Sequence, residues 1–346
     1  MLSGALILIG ISFLILLHEA GHFIAAKRAG LLVEEFGFGF PPRLAHKKIG
    51  ETVYSLNWLP FGGFVRVHGE KTSDFEGTPE KRPLLKERAF VYQSLWTRFI
   101  IVGAGVAVNF LLGWFLLSLT FFIGTPQSIV VTELAENTPA AEAGILEGDT
   151  LLYFADSAEF VAFINQQRGQ EVILDFQRDG EVRSVSVTPR FDPPIGEGAL
   201  GLAVSDFGFE GVSFVKSIWD GLVFAVTTTG EIFVALFLLV ANLFQSGRIA
   251  EEVIGPIGIL SFAGELGQAG YVYLIQLIAL ISLNLAVLNI LPIPALDGGR
   301  ILFLIIEKIK GAPIAPKKEL AANAISFVVL FMLMIVITVR DVIRLF

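Results

Sequence analysis

The 346 residues include no cysteine, which excludes disulfides, thiolate zinc sites and a thiol nucleophile. Histidine is nearly as scarce, at four, so any metal must be held by those few imidazoles and by carboxylates. Charge is thin as well: Asp, Glu, Lys and Arg make up 17% of the chain, against roughly 25% in an average soluble protein. The net charge of −8 leaves no basic patch to neutralise phosphates, and nucleic acid is excluded as a partner. What is abundant is apolar. Hydrophobic residues reach 54% and the mean hydropathy is +0.70, concentrated in long runs that flank a middle third of ordinary soluble composition. This excludes a soluble globular enzyme and predicts a polytopic α-helical membrane protein with an inserted soluble domain.

A spanning helix needs about 20 mostly apolar residues. Leu2 to Leu17 falls short of that, so the first helix must continue through His18, Glu19 and His22 to about Ala26. No positive segment precedes this run, unlike a cleaved signal peptide. Phe99 to Gly124, Tyr271 to Leu291 and Leu320 to Val339 complete four expected spans. Gly221 to Phe244 is long enough but carries Thr227, Thr228, Thr229 and Glu231. Lys and Arg accumulate on the cytoplasmic side. They are dense between the first two spans (Lys27, Arg28, Arg43, Lys47, Lys48, Arg66, Lys71, Lys81, Arg82, Lys86, Arg88, Arg98) and sparse from Thr125 to Asp220. The first segment is therefore expected inside, and the N-terminus and soluble domain outside; Arg340 and Arg344 run against the trend.

His18-Glu19-Ala20-Gly21-His22 places two imidazoles one turn apart on one helical face, able to converge on a single Zn²⁺, with a carboxylate between them as candidate general base. Leaving His, Glu and His in hydrocarbon without a use would cost several kcal/mol; the bland alternative is a polar helix end snorkelling to the interface. A catalytic zinc takes three protein ligands. His46 and His68 lie in the polar cytoplasmic segment and read as ordinary loop residues. Asp297 is the stronger third candidate: it follows Pro292 and Pro294, which break the helix, and precedes Gly298-Gly299. Irregular polar backbone at membrane depth is tolerated only inside protein or beside a water-filled cavity, although Asp297 also suits a helix-terminal turn. Placing Asp297 level with His18 and His22 requires the first and the Tyr271 helices to run parallel, so the run over 221–244 is expected to be re-entrant or to lie at the interface.

With these residues the chain resembles the site-2 protease family of intramembrane zinc metalloproteases, in its bacterial RseP-like branch. The likeness rests on HEAGH at 18–22, the Gly-rich Phe36-Gly37-Phe38-Gly39-Phe40-Pro41-Pro42, Leu59-Pro60-Phe61-Gly62-Gly63-Phe64-Val65, Gly255-Pro256-Ile257-Gly258-Ile259, and NxxPxPxLDGG at 289–299. One departure is 103–109, where the family usually has a proline after the second glycine. The resemblance implies His18, His22 and Asp297 as Zn²⁺ ligands and Glu19 as general base. It also implies that Asn284 and Asn289, with Pro292 and Pro294 of the same segment, help hold the substrate backbone; an interhelical hydrogen bond is the competing use of such an asparagine.

Residues 34–68 alternate short apolar and polar stretches with Gly and Pro and read as strands and hairpins; in the family a membrane-associated β element lies here, whose edge an unwound substrate could join. Pro139-Ala140-Ala141-Glu142-Ala143-Gly144-Ile145-Leu146-Glu147-Gly148-Asp149, with strand-like 171–176 and 183–187, looks like a single PDZ domain. The expected organisation is 1–124, an N-terminal membrane protease half; 125–205, an extracytoplasmic α+β PDZ domain; 206–262, an amphipathic or re-entrant connecting helix; and 263–346, a C-terminal membrane half. The resemblance implies a multi-pass protein of the bacterial cytoplasmic membrane, its active site toward the cytoplasm. The implied activity is cleavage of single-pass membrane proteins such as trimmed anti-sigma factors or remnant signal peptides. The alternatives are a zincin cutting juxtamembrane chains and a non-catalytic PDZ scaffold, the latter disfavoured because a metal carrier has no use for Glu19.

Overall fold

The computed structural model describes residues 2–70, 86–178, 180–194, 197–246, 255–312 and 314–345; Lys71, Lys81 and Arg82 of the basic segment, and part of the expected connecting element, lie outside them. The chain divides into two units, one of residues 1–119, 217–267 and 274–346, the other of 120–216 with 268–273.

In the first unit, α1 (Leu2–Arg28) is one continuous helix that carries His18, Glu19 and His22 in its last third. It is followed by β1 (Val33–Ile49) and β2 (Thr52–Val67), an antiparallel pair in which both strands bend back. The first half of β1 sits between the two halves of β2, with Phe36 opposite both Tyr54 and Val65. The strands expected over 34–68 are thus present as one curled hairpin. The inner half of β1 alternates buried and half-buried positions, whereas its outer half is exposed throughout. Helix α2 (Leu95–Ile123) begins four residues earlier than the sequence suggested.

α1 and α2 run antiparallel: His22 Nδ1 lies 2.8 Å from the Ile101 carbonyl, while His18, one turn earlier, faces Asn109. Ser282 Oγ donates to the Asn109 carbonyl, so α7 (Tyr271–Ile290) is antiparallel to α2 and parallel to α1. Ile7 packing against Leu274 and Leu277 at the opposite end agrees. α8 (Asp297–Lys310) is tied to the start of α2 by the Arg98–Glu307 ion pair at 2.9 Å. α9 (Pro316–Leu345) meets the bundle at both ends: Asn323 Oδ1 accepts from Ala295 N, and Asp341 accepts from Gly255 N and Gly258 N. Asn323 and Asp341 are about 27 Å apart along the helix at about 1.5 Å per residue. Gly255 therefore lies at the end of the unit remote from Ala295.

The run expected to be re-entrant forms α5 (Phe214–Ser246), an unbroken helix of 33 residues, followed by a separate α6 (Pro256–Ala269). The threonines do not break it because their hydroxyls bond back to its own carbonyls, Thr227 to Val223 and Phe224, Thr229 to Ala225. Among the described residues, five helices have the length and apolarity to cross a membrane, the four expected spans and α5. Residues 217–267 group with the first unit, and the expected boundary at 263 falls inside α6.

The second unit carries β3 (Gly124–Leu134), α3 (Pro139–Glu142), β4 (Thr150–Leu151), α4 (Ser157–Gln166), β5 (Val172–Arg178), β6 (Glu181–Val187) and β7 (Leu202–Glu210). The sheet is antiparallel, in the order β6-β5-β4-β3-β7. Ile129, Val131, Ile145, Leu174 and Phe176 fill its core. The unit mixes short helices with this sheet and takes in residues 120–216 with 268–273, against the 125–205 of the sequence expectation.

Candidate metal centre

The last third of α1 and the first residue of α8 meet. His18 Nε2 lies 3.0 Å from Asp297 Oδ2, His22 Nε2 3.2 Å from the same oxygen, and the two Nε2 atoms are 3.2 Å apart. A tetrahedral zinc with bonds of about 2.0–2.2 Å holds its ligand atoms about 3.3 Å apart, so this triangle has the size of one face of such a site. The chemistry of the donor set agrees. The Ile101 carbonyl can only accept, so a neutral His22 carries its proton on Nδ1 and keeps a lone pair on Nε2. In that form the lone pair faces a carboxylate oxygen across 3.2 Å, a contact that a cation shared by the two atoms satisfies.

Local backbone positions each of these side chains. Gly105 of α2 stands where a Cβ would come within 2.4 Å of His22 Nε2, so only glycine lets α2 pass this close behind the imidazoles. After α7 the chain turns through Ser-free backbone, Pro292 to Leu296, in which Ala295 has φ +79, a left-handed conformation rare for a residue with a side chain. The Asn323 bond to Ala295 N holds that turn. A Cβ at Gly298 would fall 2.1 Å from the Leu291 carbonyl, so the glycine after Asp297 allows α8 to start directly against the end of α7.

A cavity of about 250 Å³ opens beside the triangle. Glu19, His22 and Asp297 line it, with Phe64 and Val65 of β2, and Arg300 paired to Glu70. Gly63 brings β2 to Glu19, its Cβ position lying 3.6 Å from Glu19 Cγ. A carboxylate, a potential cation site and a strand therefore face one small chamber.

Of the residues singled out by sequence, His18, Glu19, His22 and Asp297 are brought together. Asn284, Asn289, Pro292 and Pro294 do not line the cavity; Asn284 and Pro292 are exposed, Asn289 and Pro294 half-buried. His46 lies opposite Ser55 in the hairpin and His68 bonds Glu34 at 2.7 Å, both away from the cluster. Arg300 and Glu70 were missed; the one available signal was a lone Arg directly after the LDGG turn.

Comparison with known proteins agrees with the geometry. The profile of "Peptidase family M50" matches residues 6–333. The zinc metalloprotease RasP of Geobacillus kaustophilus is 31% identical over 412 aligned residues, covering 96% of each chain. The regulator of sigma-W protease RasP of Bacillus subtilis is 29% identical over 411, also 96% of each. A Clostridium perfringens protein whose name assigns it provisionally to the zinc metalloproteases is 33% identical over 348, 97% of each. With a profile match over nearly its whole length, the chain belongs to peptidase family M50, the site-2 protease family of zinc metalloendopeptidases, as a multi-pass membrane protein.

Proposed function

We propose that the chain performs intramembrane proteolysis, hydrolysing a peptide bond within or beside the transmembrane helix of a single-pass membrane protein. His18, His22 and Asp297 hold the zinc, and Glu19 is the general base. The observation that carries this reading is the convergence of the three ligand atoms, at 3.0–3.2 Å, beside a cavity that Glu19 and β2 share.

Zinc, when bound, supplies Lewis acidity toward water and toward the scissile carbonyl. Glu19 takes a proton from the attacking water as its oxygen bonds to the carbonyl carbon, then delivers that proton to the leaving nitrogen as the C–N bond breaks. No covalent intermediate is needed. The second half of β2, Gly63 to Val67, pairs with β1 on one side only among the described residues. An unwound substrate adding to its other edge would satisfy its own peptide groups and lie extended past Glu19. Asn284 and Asn289, with Pro292 and Pro294, are proposed to contact the incoming helix before it unwinds, consistent with the exposure of Asn284.

Four net crossings fit this arrangement. α1 and α7 run parallel, which requires an even number of crossings between α2 and α7. Gly221 packs on Ser118, near the end of α2 remote from Ile101, and Gly255 lies at the same remote end. These positions support a chain that enters and leaves 221–255 on one side of the membrane, so that α5 makes no net crossing. With the basic segment after α1 inside, the metal centre faces the bacterial cytoplasm and the 120–216 unit is extracytoplasmic. That unit is read as a PDZ domain, serving as a size filter or a peptide binder. The name of the Bacillus relative, a regulator of sigma-W, favours a trimmed anti-sigma factor over a remnant signal peptide as substrate.

The test is to reconstitute the protein in lipid vesicles with a tagged single-pass substrate and map the cut by mass spectrometry. A cut inside the apolar segment or at its margin is expected. Cuts confined to soluble or distant juxtamembrane chain would replace this reading with a membrane-anchored zincin.

A further inference from the structure

Asn109 is completely buried in the middle of α2, and its backbone carbonyl accepts from Ser282 Oγ at 2.8 Å, which pins this turn of α2 to α7. Its side-chain amide stands 3.2 Å from His18 Nδ1, the ring nitrogen turned away from Asp297. Its Oδ1 is buried with no hydrogen-bond partner among the described residues. Leaving a carbonyl oxygen unpaired inside an apolar bundle is costly.

The two facts resolve each other. If His18 gives its Nε2 lone pair to zinc, its proton resides on Nδ1 and needs an acceptor. The oxygen and nitrogen of an amide occupy equivalent places either side of its last side-chain bond, and the available partners decide which faces where. A half-turn of the Asn109 amide sets Oδ1 against His18 Nδ1–H and gives the orphaned oxygen its donor. His22 has the parallel provision in the Ile101 carbonyl, two turns away on the same helix.

We propose that Asn109 is a positioning residue: its Oδ1 accepts from His18 Nδ1–H and so fixes the tautomer and ring orientation that direct Nε2 to the zinc. The inference rests on the zinc site proposed above and deepens it. α2 would then be the outer support of both imidazoles, by a backbone carbonyl for one and a side-chain amide for the other.

The test uses the purified full-length protein and reads zinc affinity by competition with a chromophoric chelator, together with the visible spectrum of the Co²⁺-substituted form. Asn109→Leu keeps the volume and removes the acceptor; it should weaken zinc binding about 10- to 100-fold and alter the Co²⁺ spectrum. Asn109→Asp keeps an acceptor and should stay within about threefold of wild type, since a carboxylate accepts from imidazole at least as well. Leu binding as tightly as wild type, or Asp binding as poorly as Leu, overturns the proposal. Asp297→Ala serves as control: wild type and Asp297→Ala indistinguishable would strike the zinc site itself, whereas a clear gap between them with Asn109→Leu unaffected would strike only the role of Asn109. If Asn109→Leu does not fold, ¹⁵N shifts of the His18 ring in the zinc-loaded wild type decide without a variant. A hydrogen-bonded proton on Nδ1 is expected, and an unprotonated Nδ1 contradicts the assignment.

Discussion

The 120–216 unit and the helical unit both bury apolar side chains but differ in which polar groups they enclose and in what they leave at the surface. In the former, Ile129, Val131, Leu174 and Phe176 are enclosed, and the buried acid Asp149 is neutralised by Arg178 at 2.5 Å and accepts from Leu146 N. In the helical unit, Ser12, His18, Asn109, Ser118 and Ser282 are buried, while Phe331, Met332 and Val336 of α9 are exposed. Where water is the solvent, burial of an apolar side chain reports folding. Where lipid is the solvent, apolar surface gains little by being covered, and a buried polar group needs a reason. Here the reason we propose is the metal centre and the contacts between the helices that carry it.

The largest effect that would sharpen this contrast is Asp297→Ala. Zinc retained after dialysis, measured by elemental analysis, should fall at least about 100-fold in apparent affinity, more than for loss of an outer partner. Next is Phe176→Ala in the core of the 120–216 unit, expected to cost about 3–5 kcal/mol and to speed hydrogen exchange along β5 and β6. Phe331→Ala on α9, by contrast, should change stability by less than about 0.5 kcal/mol. Equal costs at Phe176 and Phe331 would break the comparison. Gly105→Ala adds a methyl 2.4 Å from His22 Nε2, and should cost about 1–3 kcal/mol with zinc affinity lowered about tenfold.

The smallest effect lies at the exposed rim. Arg88 and Lys27 hold the Glu51 carboxyl down to about 2 from an ordinary 4.5. Because the folded value is depressed, this contact contributes fully above pH 4.5 and is lost as pH falls through about 2. Glu51→Gln should therefore flatten the dependence of stability on pH only within that window, and modestly, since the pair is partly exposed.

Much of the centre was legible because polar residues are rare in apolar runs. His18, Glu19 and His22 stand in a run too short to span without them, and Asp297 follows two helix-breaking prolines; each could be read from its own segment. What was not legible depends on a second segment. The Asn109 side chain acquires meaning only when α2 passes behind His18, and Ala295 is forced to positive φ by the start of α8 and the reach of Asn323. At α5 the missing information is local: Thr227 and Thr229 bond back to carbonyls of their own helix, which composition does not reveal. In the 120–216 unit, alternation within each strand displayed the sheet, but the order β6-β5-β4-β3-β7 arises from pairings that no single strand encodes.

The central claim is that this buried polar cluster is a catalytic zinc site with Glu19 as its base. The most direct measurement compares wild type with Glu19→Gln in vesicles containing a single-pass substrate, with zinc content determined on the same samples. Cleavage falling by at least about 100-fold with zinc content unchanged is the predicted result. Equal cleavage by the two proteins would contradict it.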